Sequence, residues 1–275
     1  MTSVNEAAVL QDDIGRRLEI PLPARRIVSL IPSLTESLFV LGAGERVVGI
    51  TRFCIEPPEA ASRARQVGGC KNPDLDAITA LSPDVVLVNA EENRREDFEA
   101  LEARGLRCFV TFTRTVADVR GLLVALGRIA GCEEEAGNRE RALAAAIAVH
   151  SGALTRRPTR VFCPIWKNPW MGFNADTYAD DLLRQVGGAN ILAEESERYC
   201  RIELEQIATM DPEVILLPDE PYVFRDRDLT EMQALCSTSA WRNGRVHRID
   251  GKALLWYGVR TASALDSLCL FLSGD

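Results

Sequence analysis

A seventeen-residue pattern occurs twice in this chain, and it restricts the fold more than any other feature. Leu75 to Glu91 reads LDAITALSPDVVLVNAE, and Leu204 to Glu220, 129 positions later, reads LEQIATMDPEVILLPDE. Asp76 matches Glu205, Ile78 matches Ile207, Pro83 matches Pro212, Asp84 matches Glu213 and Glu91 matches Glu220. Apolar residues at Leu75, Ile78 and Leu81 line one face of a short helix, and the proline that follows stops it. The runs Val85 to Val88 and Val214 to Leu217 are rich in β-branched residues and lack alternation, which suits parallel strands covered on both faces. A unit of this kind, repeated at a fixed offset, predicts two related α/β halves.

A chain of 275 residues has room for two domains of ordinary size. Its 47% hydrophobic and 26% charged residues are those of a globular protein, and its apolar runs are strand-sized, too short to cross a membrane. A net charge of −8 argues against a nucleic-acid partner, because phosphate binding needs clustered Lys and Arg. Met1 to Ile20 carries acidic residues where an export signal needs a basic start and an apolar run, so the chain as it stands is expected to be cytoplasmic. Eight cysteines form no C-x-x-C pair and no clustered metal spacing, and read as free thiols.

Taken in order, residues 1–25 form a lead-in, with Asp13-Ile14-Gly15 as the turn of a hairpin. Residues 26–115 form a first α/β lobe. Its first strand, Arg26 to Leu30, runs into IPSLTESLFVLGAG, where Ser33 and Glu36 have the spacing of a capping box. Residues 116–157 hold no strand signal, and GCEEEAGNRERALAAAIAVHSGAL reads as one long helix of roughly 35 Å, from ~1.5 Å per residue. It lies between the halves and is the candidate connector. Residues 158–275 form the second lobe, with a helix from Tyr178 to Val186 capped by Asp176 or Thr177, and a last helix from Thr261 to Leu272. The predicted fold is α/β, with two Rossmann-like lobes of parallel sheet joined by one long helix.

The segments RIVSLIPSLTESLFVLGAG, VGGCKNPDLDAITALSPDVVLV and DLLRQVGGANIL, with the second copy of the repeat, together resemble the class III periplasmic solute-binding proteins. These are the cobalamin-, haem- and ferric-siderophore-binding partners of ABC importers. The resemblance covers nearly the whole chain from about Arg26. It implies two lobes joined by a single helix, matched here by Glu133 to Leu154, with the ligand held between them and no resident cofactor. It also implies that an acid at the start of each repeated helix, here Asp76 and Glu205, meets an importer permease. Both acids are equally accounted for by the helix macrodipole.

Sites in open α/β sheets lie in loops at the carboxyl ends of the strands. Those loops hold Phe53, Glu91, Glu92, Asn93, Trp166, Trp170, Tyr199, Glu220, Tyr222, Trp256 and Tyr257 as candidate ligand contacts. Three of the four tryptophans fall there, and flat amphipathic rings suit a corrin, a porphyrin or another planar metal chelate. Packing of the lobes explains Trp166 and Trp256 equally well, and a helix cap explains Glu91 to Asn93. Catalytic residues are not evident: the chain has no G-x-S-x-G, no Walker loop and no G-x-G-x-x-G after a strand. The expectation is therefore a binding protein for a cobalamin-like corrinoid or other metal chelate. An alternative is a cytosolic metal- or tetrapyrrole-handling enzyme, chelatase-like, working through Glu91, Glu92 and Glu220. A free hard cation on Glu91, Glu92, Asp219 and Glu220 is the third reading. His150 and His247 read as structural.

Overall fold

The computed structural model describes residues 6–152 and 157–273, and these fall into two compact units. The first unit runs to Thr113 and resumes over Ala117–Arg141; the second takes Arg114–Val116 and everything from Ala142.

The first unit opens with a hairpin, β1 (Glu6–Gln11) antiparallel to β2 (Arg17–Leu22). The expected turn is present, with Gly15 at φ +83°. Then come β3 (Ile27–Ser29), α1 (Pro32–Val40), β4 (Val47–Ile50), α2 (Ala60–Arg63), β5 (Arg65–Gln66) and a two-stranded ribbon of β6 (Gly68–Gly69) and β7 (Asn72–Pro73). α3 (Leu75–Ala80), β8 (Val85–Asn89), α4 (Arg95–Ala103), β9 (Cys108–Thr111) and α5 (Val116–Ala130) follow. The sheet is parallel throughout, in the order β5-β4-β3-β8-β9. Every residue of β8 is buried, as a strand covered on both faces requires. Val28, Val86, Val88, Ile78 and Leu101 form the core on one side of it.

The hairpin belongs to this unit. Asp13 N–H donates to the carbonyl of Val110 at 3.0 Å, and the Asp13 carboxylate accepts from Phe112 N–H at 2.7 Å. β9 is an edge strand, and the turn of the hairpin occupies the polar groups that an edge leaves open.

α6 (Glu133–His150) has 18 residues, and the boundary between the units falls inside it. Its length is about 27 Å at ~1.5 Å per residue. Ala153 and Leu154, the end of the predicted extension, lie outside the described residues. The helical region that the sequence suggested as a separate segment is divided between the two units.

The second unit contains β10 (Thr159–Phe162), α7 (Tyr178–Gln185), β11 (Gly188–Asn190), α8 (Leu204–Met210) and β12 (Val214–Pro218). After these come α9 (Asp226–Glu231), a 3-10 turn, α10 (Ser239–Arg242), β13 (Val246–Ile249), α11 (Gly251–Leu255) and α12 (Thr261–Leu272). Its sheet, β11-β10-β12-β13, is also all parallel. Thr177 caps α7 by accepting from Asp180 N–H at 3.3 Å. Phe162, Ile207, Ile215, Leu217 and Phe224 are central to its core.

One expected device is missing. α1 begins at Pro32, with Ile31 at the cap position and no side-chain cap bond. Proline pre-sets the helical φ at the first position, so Ser33 lies inside the first turn and cannot act as the cap. Its hydroxyl is buried with no hydrogen-bond partner among the described residues, and no capping box with Glu36 forms.

Candidate functional site

In the first unit, the carboxyl ends of β4 and β8 carry the candidate residues. Phe53 is half exposed, with the Arg52 guanidinium 5.1 Å from its ring centre. Beyond β8, Asn89 organises the next turn: its Oδ1 accepts from Glu91 N–H at 2.8 Å and from Glu92 N–H at 3.2 Å. Asn93 closes that turn, accepting from Asn89 N–H at 2.8 Å and donating Nδ2 to the Cys70 carbonyl at 2.9 Å. Both ends of the Asn93 amide are thus committed to backbone. Glu91 and Glu92 remain partly exposed at the rim.

The second unit gathers its aromatics more closely. Trp166 follows β10 and is 42% exposed; its ring meets Tyr222, from the loop after β12, edge-on at 5.9 Å. Tyr222 packs edge-on against Phe224 at 4.9 Å, and Phe224 stacks on Trp170 at 5.8 Å with an interplanar angle of 11°. Trp166 is exposed and Trp170 and Tyr222 are partly exposed, while Phe224, 4% exposed, is the core residue that backs them. The three accessible rings form a surface that favours contact with a large apolar or π-surfaced ligand. Tyr199 is exposed on the loop before α8.

Beneath this face lie two charges that the sequence did not single out. Lys167 and Asp228 are almost completely buried, and Lys167 Nζ donates to Asp228 Oδ1 at 2.6 Å and is paired with Glu231 at 2.6 Å. Phe224 was also missed, although it stands two residues from Tyr222 in LPDEPYVF. Asp228 carried only the signal of an acid in the first turn of α9.

Trp256 and Tyr257 take a different position from that expected of ligand contacts. They are 5% and 6% exposed. Trp256 donates Nε1–H to Glu220 at 2.8 Å and has Arg260 5.7 Å from its ring centre, while Tyr257 packs edge-on against Tyr178. Burial pushes the Glu220 carboxyl above its ordinary range, and the indole N–H pulls it partly back.

Asp76 and Glu205 both stand in the first turn of their helices and are exposed; Asp76 pairs with Arg104 at 2.7 Å. His150 lies 2.9 Å from Asp266, and His247 packs against Phe271, with burial holding its imidazole below the usual range. Among the described residues, no group of three or more His, Cys, Asp or Glu side chains is arranged to hold a metal ion, and no helix is long and apolar enough to cross a membrane.

Two units of all-parallel sheet, with recognition-type side chains at the carboxyl ends of the strands, define a two-lobed α/β protein built to hold a ligand. The sequence profile of the periplasmic binding proteins matches residues 27–253, and the chain belongs to that family. The vitamin B12-binding protein of Vibrio cholerae serotype O1 is 23% identical over 253 residues, spanning 92% of this chain and 90% of its own. The periplasmic heme-binding protein RhuT from Roseiflexus sp. RS-1 superposes with a TM-score of 0.79 at 24% identity, over 90% of this chain and 98% of that one. CeuE of Helicobacter pylori, in a Ni-His complex, gives 0.84 at 16% identity, over 98% and 89%. The family is that of periplasmic binding proteins and RhuT is a periplasmic protein, which does not support the cytoplasmic placement expected from Met1 to Ile20.

Proposed function

We propose that this protein is a non-catalytic binding protein whose cargo is a cobalamin-like corrinoid or another planar metal chelate. The observation that carries the reading is the surface formed by Trp166, Tyr222 and Trp170 in the second unit, backed by the buried Phe224. Ring faces and edges of this kind suit a broad, amphipathic, π-rich ligand, and they contribute binding without a reacting group. The named binding functions of the vitamin B12 and heme relatives point to the same ligand class. An ABC importer permease is the proposed partner, with the exposed acids Asp76 and Glu205 as its contacts.

The chelatase-like alternative relies on Glu91, Glu92 and Glu220. Glu220 already accepts the Trp256 N–H, and the backbone of Glu91 and Glu92 is fixed in the turn that Asn89 makes. For Glu220 the bond from Trp256 explains the residue without chemistry.

The test is an absorbance titration with cobalamin, cobinamide and haem, run beside tryptophan fluorescence. One-site, saturable quenching by at least one of the three is expected, weakened about tenfold or more in Trp166→Ala. No response to any of them, or unchanged affinity in Trp166→Ala, overturns the reading.

A further inference from the structure

We infer that Asp228 is the positioning residue of the aromatic face, the group that fixes how Trp166, Tyr222 and Trp170 are presented; this rests on reading that face as the ligand contact. Asp228 is fully buried at the start of α9 and is reached from the loop after β10 and from the loop after β12. Its Oδ1 accepts from Lys167 Nζ at 2.6 Å and from the Tyr222 hydroxyl at 3.2 Å. Its Oδ2 accepts from Arg225 N–H at 2.7 Å, closing the turn that leads from Phe224 into α9.

Each bond leads to a ring. Lys167 directly follows Trp166 in the chain, and its Nζ stands 5.7 Å from the centre of the Trp170 ring. Tyr222 is the edge partner of both Trp166 and Phe224. Arg225 follows Phe224, on which Trp170 stacks. One carboxylate therefore ties the loop after β10 to the loop after β12, and the rings stand on the two loops that it ties. Ring packing alone leaves such loops free to slide past one another, because edge and stacked contacts tolerate a wide range of offsets. Hydrogen bonds to a buried charge do not, since a misplaced partner leaves that charge unpaired.

The chemistry of the three donors explains why the residue is an acid. A buried ammonium needs a counter-charge, and a hydroxyl and an amide N–H each need an acceptor; a carboxylate serves all three at once. Glu231, which also meets Lys167, has a side chain 55% exposed and reaches neither Tyr222 nor the Arg225 turn in the bonds above. Half in solvent, it offsets the Lys167 charge only in part when Asp228 is replaced, and it cannot replace the tie between the loops.

The experiment uses the full chain and four variants: Asp228→Asn, Lys167→Met, the double variant, and Tyr222→Phe. Three readouts are taken: thermal stability, near-ultraviolet circular dichroism without ligand, and titration with cobalamin and with haem. Asp228→Asn is expected to lose stability, to lose much of the tryptophan and tyrosine near-ultraviolet signal with far-ultraviolet signal retained, and to bind the accepted chelate about tenfold or more weakly. The double variant removes the uncompensated ammonium and is expected to regain stability without regaining signal or affinity. Tyr222→Phe, which keeps the ring and removes only one donor, is expected to shift the tryptophan bands of the near-ultraviolet signal, to which the lost phenol does not itself contribute, in a folded protein, so the inference is decided even where Asp228→Asn does not fold. Recovery of all three readouts in the double variant, or unchanged tryptophan bands in both Asp228→Asn and Tyr222→Phe, makes Asp228 a structural residue only and overturns the inference. Failure of the wild-type protein to take either chelate overturns the binding reading instead, and the dichroism then decides the positioning role alone.

Discussion

Ser82 and Asp211 stand at equivalent places in the two copies of the repeat and hold the same backbone shape, with φ of 45° at the first and 46° at the second. Each ends the repeated helix and is followed by a proline, which keeps the preceding residue from continuing the helix. A left-handed backbone costs a residue with a side chain about 1–2 kcal/mol, and both copies carry that cost rather than a glycine. The two differ in what offsets it. Asp211 accepts from Ser239 N–H at 2.6 Å and from the Ser239 hydroxyl at 2.9 Å, whereas the Ser82 side chain is exposed.

The same substitution is therefore expected to act oppositely at the two sites. Ser82→Gly relieves the strain and raises stability by up to about 1 kcal/mol in urea unfolding, less what glycine gains in the unfolded chain. Asp211→Gly relieves the same strain but loses both bonds to Ser239, and its midpoint falls below wild type at pH 7. The bond from Ser239 N–H, with the hydroxyl, holds the Asp211 carboxyl below its ordinary range. A depressed acid stabilises above its unfolded-state pKa and loses that contribution as pH falls, so the deficit of Asp211→Gly narrows in acid. Equal effects of the two substitutions at pH 7 would refute this account.

The repeat was legible because it is written in features that single residues fix: an apolar spacing of three, a proline stop and an unalternated strand. α3 and α8 start at Leu75 and Leu204 as read, and β8 and β12 are buried along their whole length. The capping box was not legible because Pro32 moves the start of α1, and that depends on which of two helix signals dominates. In the site, the aromatic loops were readable from their positions after strands. The depth of each ring was not, because burial is set by partners far apart in sequence: Trp166 stays half exposed, while Trp256 is drawn inward by Glu220. Asp228 was invisible for the same reason, since its meaning comes from Lys167, 61 positions earlier.

The pairing of Glu220 with Trp256 predicts a pH dependence. Burial raises the Glu220 carboxyl, so its ionised form is disfavoured by folding. Its stabilising contribution is complete below the unfolded-state pKa and is lost as pH rises through the raised value. Glu220→Gln keeps an oxygen for the indole N–H and removes the charge. The variant is expected to melt at or above the wild-type temperature at pH 8 and to lose that advantage at pH 4. A lower melting temperature for Glu220→Gln at pH 8 would show that the ionised carboxylate is favoured in place.

Directly beneath it, Gly251 starts α11 where a Cβ would lie 2.6 Å from both the backbone N and O of Glu220. Backbone cannot step aside as a side-chain tip can. Gly251→Ala is expected to cost about 1–3 kcal/mol in urea unfolding and to disturb the fluorescence of Trp256 through the displaced Glu220. Unchanged stability would mean that this loop yields freely.

The clamp on β9 gives the last prediction. The Asp12 carboxylate, 4% exposed as a residue, accepts from the N–H groups of Ile14 at 3.2 Å and Arg16 at 2.8 Å, and from the Arg16 side chain at 2.7 and 2.9 Å. Arg16 in turn donates to the Cys108 carbonyl at 2.6 Å and to Glu102 at 2.6 Å, and stands 4.7 Å from the Phe98 ring centre. Removing Asp12 leaves Arg16 with Glu102 as its remaining acid and opens the edge of the sheet in one step. Asp12→Ala is expected to cost about 2–4 kcal/mol, and Arg16→Ala less, because Arg16 is partly exposed and water can replace it. The two residues act as one unit, so the double variant should fall well short of the sum of the single costs. Hydrogen exchange adds a local readout: the amides of Val110 and Phe112 on and beside β9 should lose protection in Asp12→Ala while those of β8 keep theirs, and additive energies with uniform exchange would show that the hairpin is an appendage rather than a clamp.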